Sequence, residues 1–348
     1  MSLRVAYMIW TLPTNPTSKA VNDVPSIERS FTSPSFTNTA ATHPSTSMLR
    51  QKPTHAAVTR FIASILPPKE NDVSRIYLAP RTPLYNPDTA VIEQLVLSIS
   101  PTPGVYSQIE KRPKGAYPNA PVSQWNSRTI AFLHRPFDLE PKNVRNSTLV
   151  LASHTSFDEH LTVGWNPALA EQLGMCADAS LCIKGFKGDA ERKIGIVGQV
   201  VATQQEMLDQ IRAEFGEPDM VQPGLSDEIR VVAIMNAFSR GEVRRVLATA
   251  QKMGLVSDDE PEAQGRHVLF LTGQSRPGGL QDATALGYTV VCVGHKKAEE
   301  WGIRYLAARL REAYPKVKVK EIYEEEMPVE KQKKKESAPA PVADPEMV

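Results

Sequence analysis

Five short apolar runs, separated by amphipathic stretches, constrain the fold of this chain more than any other feature. They are 129–133 (TIAFL), 148–152 (TLVLA), 230–235 (RVVAIM), 267–271 (HVLFL) and 289–293 (TVVCV). Each is apolar or β-branched nearly throughout and bounded by polar residues or Gly, the pattern of a strand buried on both faces of a parallel sheet. Between them, 204–215 places Met207, Leu208, Ile211 and Phe215 at helical spacing, and 242–253 does so with Val243, Val246, Leu247 and Met253. In 298–314, Ile303, Leu306, Leu310 and Ala313 share a face, and Pro315 follows its end. Alternating strands and helices predict an α/β fold with mainly parallel sheets.

The alternation does not fill the chain. Residues 1–54 are rich in Ser, Thr, Pro and Asn, and cannot bury enough apolar area to offset their ordering entropy. Across 1–60, Arg4, Lys19, Arg29, Arg50, Lys52 and Arg60 face only Asp23 and Glu28. That imbalance suits either a mitochondrial transit peptide or a plain disordered extension, with Met48 as an alternative start. From Glu321 an acidic run, a basic run and an Ala/Pro segment follow, which predicts a disordered tail over 321–348. Lys331 and Lys333 to Lys335 in it suit a nuclear import patch or simple solvation. Most of the 28 prolines precede residue 127, so the dense part of the fold is expected mainly after residue 126.

With 348 residues the chain can bury a core unaided by disulfides. Lys and Arg number 40 against 39 acids, a net charge of +1, so no nucleic-acid partner is expected. No apolar run approaches the ~18 residues of a membrane span. Cys176, Cys182 and Cys292 lack CxxC spacing, which argues against a zinc finger or disulfide framework and for a reducing compartment. The expected location is therefore cytoplasmic, with mitochondrial or nuclear alternatives from the two ends.

The chemistry is expected at the strand ends. TIAFL runs into His134-Arg135-Pro136, TLVLA into Ser153-His154-Thr155-Ser156-Phe157-Asp158, and TVVCV into Gly294-His295, with Glu299 four residues on. Ligands bind outside the carboxyl ends of strands in open α/β sheets. Histidines at three such ends, two with a carboxylate at i+4, suit a divalent metal such as Zn, Fe, Mn or Co. The alternative is that each His caps a strand or helix. There is no P-loop, GxGxxG after a strand, HExxH or GxSxG. Gly185, Gly188, Gly195 and Gly198 fit turns and bulges or a phosphate cradle. Next, 164–174 reads as a short helix with Asn166 as N-cap, Pro167 at N1 and Gly174 as its stop.

HTSFDEHLTVGWNPALAEQLG resembles the H-T-x-x-D segment of the Nif-three-like family (NGG-one-interacting-factor-three proteins, also called type 2 GTP cyclohydrolase I). FLTGQ…ALGYTVVCVGHKKAEEWGIRYLAARL and FLHRPF resemble two further motifs of that family. The resemblance covers roughly 125–315, weakly from 55. It implies two interleaved α/β domains, here 55–185 and 186–320, a dinuclear metal site and a homo-oligomer. His134, Asp158, His295 and Glu299 fall on its metal ligands. Arg135 stands where the family has a second His, and a guanidinium cannot ligate a metal. One of the two ion positions is therefore expected to be weakened, with Arg135 anchoring an anionic substrate group instead. Gln274 replaces an acid. His154 and His160 are candidate proton carriers. The resemblance implies a metal-dependent hydrolase of a nucleotide-like or phosphorylated small molecule. A non-catalytic, protein-binding or transcription-associated factor retaining the fold is the alternative.

Overall fold

The computed structural model describes residues 52–111, 128–257 and 263–326. The expected N-terminal extension, Met48 and the basic patch at 331–335 lie outside the described residues, and Thr54 already caps the first helix.

One sheet takes its strands from both ends of the chain. It comprises β1 (Ile76–Leu78), β2 (Gln94–Ser98), β3 (Thr129–Leu133), β4 (Leu149–Ala152) and β11 (Lys318–Ile322), in the order β1-β4-β3-β2-β11. All neighbours except β1 and β4 are parallel. Side-chain alternation divides its faces. Leu95, Leu97, Ile130 and Phe132 pack beneath helix α1 (His55–Ile65), whereas Val96, Ala131 and Val150 meet α2 (Pro103–Ile109) through Val105 and Ile109. Glu321 and Ile322 belong to β11, which corrects the tail expected from 321, and 327–348 lie outside the described residues. The strand reads KVKEI, and its charged residues hid the pairing with β2. Most elements follow residue 126, as expected, with α1, β1, β2 and α2 before it.

The second sheet holds β5 (Leu181–Phe186), β6 (Asp189–Thr203), β7 (Met220–Gln222), β8 (Glu228–Met235), β9 (Val268–Thr272) and β10 (Thr289–Cys292), in the order β5-β6-β8-β9-β10-β7. Only β8, β9 and β10 run parallel; β5-β6, β6-β8 and β7-β10 are antiparallel. This sheet is therefore mixed, not mainly parallel. The cause is local: Lys187 and Gly188 at φ +48° and +87° make a tight hairpin of β5 and β6. The glycine-rich segment thus makes a turn. Gly195 and Gly198 give close approach to Met235 and Ser180 instead of a phosphate cradle. Between the sheets run the short helices α3 (Thr155–His160) and α4 (Pro167–Gln172). Asn166 caps α4 as the sequence predicts, accepting from Leu169 N at 3.1 Å.

Helices α5 (Gln204–Phe215), α6 (Arg240–Lys252) and α7 (Pro277–Ala285) cover the second sheet. Thr203 with Glu206 and Ser239 with Glu242 form capping boxes that start α5 and α6 where the apolar periodicity begins. The last helix, α8 (His295–Ala313), belongs to both halves. Ala298 and Trp301 enter the core of the second sheet, and Ile303, Leu306 and Leu310 that of the first. At Gly302 a Cβ would lie 2.3 Å from the Leu161 carbonyl oxygen, so only glycine lets α8 lie this close to α3. The N-terminus of α8 is thereby fixed where the carboxyl ends of β3, β4, β9 and β10 converge.

Candidate metal centre

His134 follows β3 and is fully buried. Its Nδ1 lies 3.1 Å from the Ser153 carbonyl, which orients the ring and turns Nε2 toward two carboxylates. Nε2 is 3.1 Å from Glu299 Oε1 and 3.4 Å from Asp158 Oδ1. His295 Nε2 reaches the same Glu299 oxygen at 3.2 Å, across one turn of α8. The four residues named as metal ligands by resemblance are thus linked by contacts of 3.4 Å or less.

His154 joins them. One ligand atom from each of His134, His154 and Asp158 lies within 4.8 Å of the others, and the two rings are 4.9 Å apart. This trio can hold a metal ion. Its strand-end position places His154 among the metal-suited histidines, while the family resemblance leaves it as a proton carrier; its Nδ1 is buried without a hydrogen-bond partner. An orphaned imidazole nitrogen beside a histidine and a carboxylate fits a metal ligand.

Asp72 sets this geometry from a loop 82 residues away in sequence. Its carboxylate accepts from Ser153 Oγ at 2.9 Å and from the backbone N–H groups of His154, Thr155 and Ser156 at 2.7, 2.8 and 3.1 Å. It fixes the turn that carries His154 and starts α3, so that Asp158 points back to His134. Burial opposes the charge on Asp72, but these hydrogen bonds outweigh it and hold the carboxyl below its usual range. Nothing in the sequence marked Asp72, because a single Asp in a polar loop has no periodicity to read.

The electrostatics follow from the contacts. Burial acts against an imidazolium at His134, but Asp158 and Glu299 prevail and push it up to about 9. Burial likewise opposes ionisation of Glu299, and the imidazoles of His134 and His295 hold it well below the carboxylate range. His154 is pushed down, first by burial, with Asp158 opposing and His134 assisting. A neutral His154 keeps a lone pair for a ligand bond, whereas an ion at His134 Nε2 requires its proton to leave.

Arg135 donates to Glu299 Oε2 at 3.0 Å and pairs with Glu326 Oε1 at 2.8 Å. The expected anion anchor therefore already holds two carboxylates of its own chain. Glu325 pairs with Lys296, and Glu324 accepts from Gly104 N at 2.8 Å. The acidic run read as tail instead lines a hollow with Arg135, His295 and Glu299. His160 stands apart: its Nδ1 lies 2.9 Å from the Ser156 carbonyl, and its charged neighbours are Lys193, Glu159 and Lys69.

Asp158, His295 and Glu299 open onto a cavity of about 210 Å³, lined also by Asn236, Gln274 and Arg192. Arg192 Nη2 lies 3.5 Å from Asp158 Oδ2, and Asn236 Nδ2 donates to the Asp158 carbonyl. Asn236 follows β8 directly, so its place at a strand end was a signal the sequence offered.

Comparison with known proteins adds the family. Residues 138–328, over half of the chain, match the family described as Duf34/NIF3 (NGG1p interacting factor 3). The chain belongs to the Duf34/NIF3 family. His134 and Arg135 precede the matched stretch, so geometry brings them into the site. A curated relative, the GTP cyclohydrolase 1 type 2 homolog of Deinococcus radiodurans, is 27% identical over 165 residues, 47% of this chain. The match spans only 55% of that relative's length. Reduced HcgD from Methanocaldococcus jannaschii shares the fold, with a TM-score of 0.50 and 17% identity over 77% of this chain and 97% of that one. A Bacillus cereus protein related to NIF3 aligns at a TM-score of 0.49 and 13% identity, covering 80% and 99% of the two chains. Among the described residues no helix is long and apolar enough to cross a membrane, and the three cysteines are free.

Proposed function

We propose that this Duf34/NIF3 chain is a metal-dependent hydrolase of a small phosphorylated molecule. His134, His154 and Asp158 would hold the ion, with Glu299 and His295 at its rim. The observation that carries the reading is the cluster of His134, His154 and Asp158, with ligand atoms within 4.8 Å of one another, a buried unpartnered Nδ1 on His154, and Asp158 opening onto the cavity. Imidazole and carboxylate donors suit Zn, Fe, Mn or Co. Such an ion, when bound, supplies Lewis acidity and acidifies water toward neutral pH.

The chain's own residues do the rest. Ser153 and Asp72 orient the two imidazoles. Arg192 steadies Asp158. His295 Nε2, exposed and raised mainly by its hydrogen bond to Glu299, carries a proton at the cavity edge for a leaving oxygen. Arg135 neutralises Glu299 Oε2, and its guanidinium leaves room for one ion, not two. The same ion pair favours a second reading, a binding protein that keeps the ion without turnover.

The test is phosphate or ring-opened product release from a panel of phosphorylated nucleotides and sugars. GTP comes first, because the curated relative's name carries it. Turnover that needs added metal and is lost in Asp158→Asn supports hydrolysis. Metal uptake with no turnover across the panel favours the binding reading.

A further inference from the structure

The cavity beside the metal centre has a basic lining that the ion ligands do not explain. Lys187, Arg192 and Arg276 all line it. Two come from the β5-β6 hairpin, Lys187 at its tip and Arg192 near the start of β6, and Arg276 comes from the residue before α7. The Lys187 ammonium stands 5.1 Å from the centre of the Phe186 ring, and the Arg192 guanidinium 5.4 Å from the same centre. One aromatic ring thus gathers two like charges that repel each other. Only Arg192 has a carboxylate partner, and that is Asp158, a ligand of the proposed ion. Lys187 and Arg276 make no ion pair among the described residues.

One further feature favours an anion here. Lys187 takes a left-handed backbone conformation, φ +48°, which glycine would adopt at lower cost, so the chain keeps a cation where the turn disfavours a side chain.

We infer that Lys187, Arg192 and Arg276 form a phosphate-binding subsite. It would take the phosphate or diphosphate of a small molecule whose other end reaches Asp158, His295 and Glu299. Three cations lining one cavity match the charge and several oxygens of a phosphate better than a single planar carboxylate. The inference deepens the hydrolase reading and rests on it for the reacting end only, because the cationic lining does not need the ion.

The experiment titrates inorganic pyrophosphate into the full-length chain by calorimetry, after chelator treatment. It compares wild type with Lys187→Gln, Arg276→Gln and the double variant. Both positions are exposed, so folding is not at stake. Lys184→Gln, on the same hairpin but paired with Glu191, is the control. Each single substitution should weaken binding about tenfold, the worth of one charge-assisted contact, and the double variant more. The control should bind as wild type, and metal content should be unchanged throughout. No binding by the metal-free protein, or binding that the double variant keeps within twofold, would overturn the subsite. A chain that takes up no metal yet binds pyrophosphate through Lys187 and Arg276 would sink the hydrolase reading and leave the subsite standing.

Discussion

Removal of the Asp72 carboxylate should damage the metal centre without touching a ligand. Asp72 accepts four hydrogen bonds, three of them from successive backbone amides at the turn into α3. A hydrogen bond to a charged group contributes about 1.5–3 kcal/mol net, but four on one half-buried carboxylate do not add. In Asp72→Ala water reaches part of the turn, so the expected loss is about 2–4 kcal/mol by urea unfolding. Asp72→Asn turns an NH2 toward two donors and should recover no more than half of that. The distinguishing readout is metal affinity, measured by competition with a chromophoric chelator. Loss of an orienting partner behind a ligand typically costs 10–100-fold. Destabilisation with affinity unchanged within twofold would refute the claim that Asp72 positions His154 and Asp158.

Gly302→Ala would ordinarily gain helix propensity of about 1 kcal/mol, but here its Cβ meets the Leu161 carbonyl. Thermal and urea unfolding should show a loss of about 2 kcal/mol or more, and a gain would contradict the packing described. His55 is buried and depressed from 6.5 to about 4, chiefly by burial and secondly by Arg128. The unfolded chain therefore binds more protons between those values, and stability falls as pH falls. The His55 contribution is about 2 kcal/mol between pH 7 and 5, and a His55→Leu variant should lose that part of the pH dependence. Arg135→His restores a ligand-capable side chain facing Glu299 Oε2. Bound zinc should rise from about one to about two ions per chain by plasma mass spectrometry, and a constant value would show that Arg135 does not limit the count.

The legible part of this fold was the part whose residues share one environment. TIAFL, TVVCV and their like are buried on both faces, so local composition alone reports them as strands. β6 and β11 mix buried and exposed positions, and β11 pairs with β2 more than 200 residues earlier, so local composition does not report them as strands. His134, His295 and Glu299 were legible because strand ends are where an α/β sheet places chemistry. His154 was legible at its strand end, but the sequence cannot show that its Nδ1 is left without a partner. Asp72, Arg192 and Glu326 act across distances of 34 residues or more, through contacts that only the folded chain creates. The acidic run at 324–326 carries the clearest lesson. A charge run is normally solvated, but here Glu325 and Glu326 pair with Lys296 and Arg135, and Glu324 accepts from the Gly104 amide.

The central claim is that His134, His154 and Asp158 hold a metal ion. Its most direct test is the metal content of the full-length chain, purified without chelator, beside His134→Ala and His154→Ala. The account predicts about one ion per chain, lost in both variants while each remains folded by circular dichroism. A wild-type chain that carries no ion, even after reloading with Zn, Fe, Mn or Co, would contradict it.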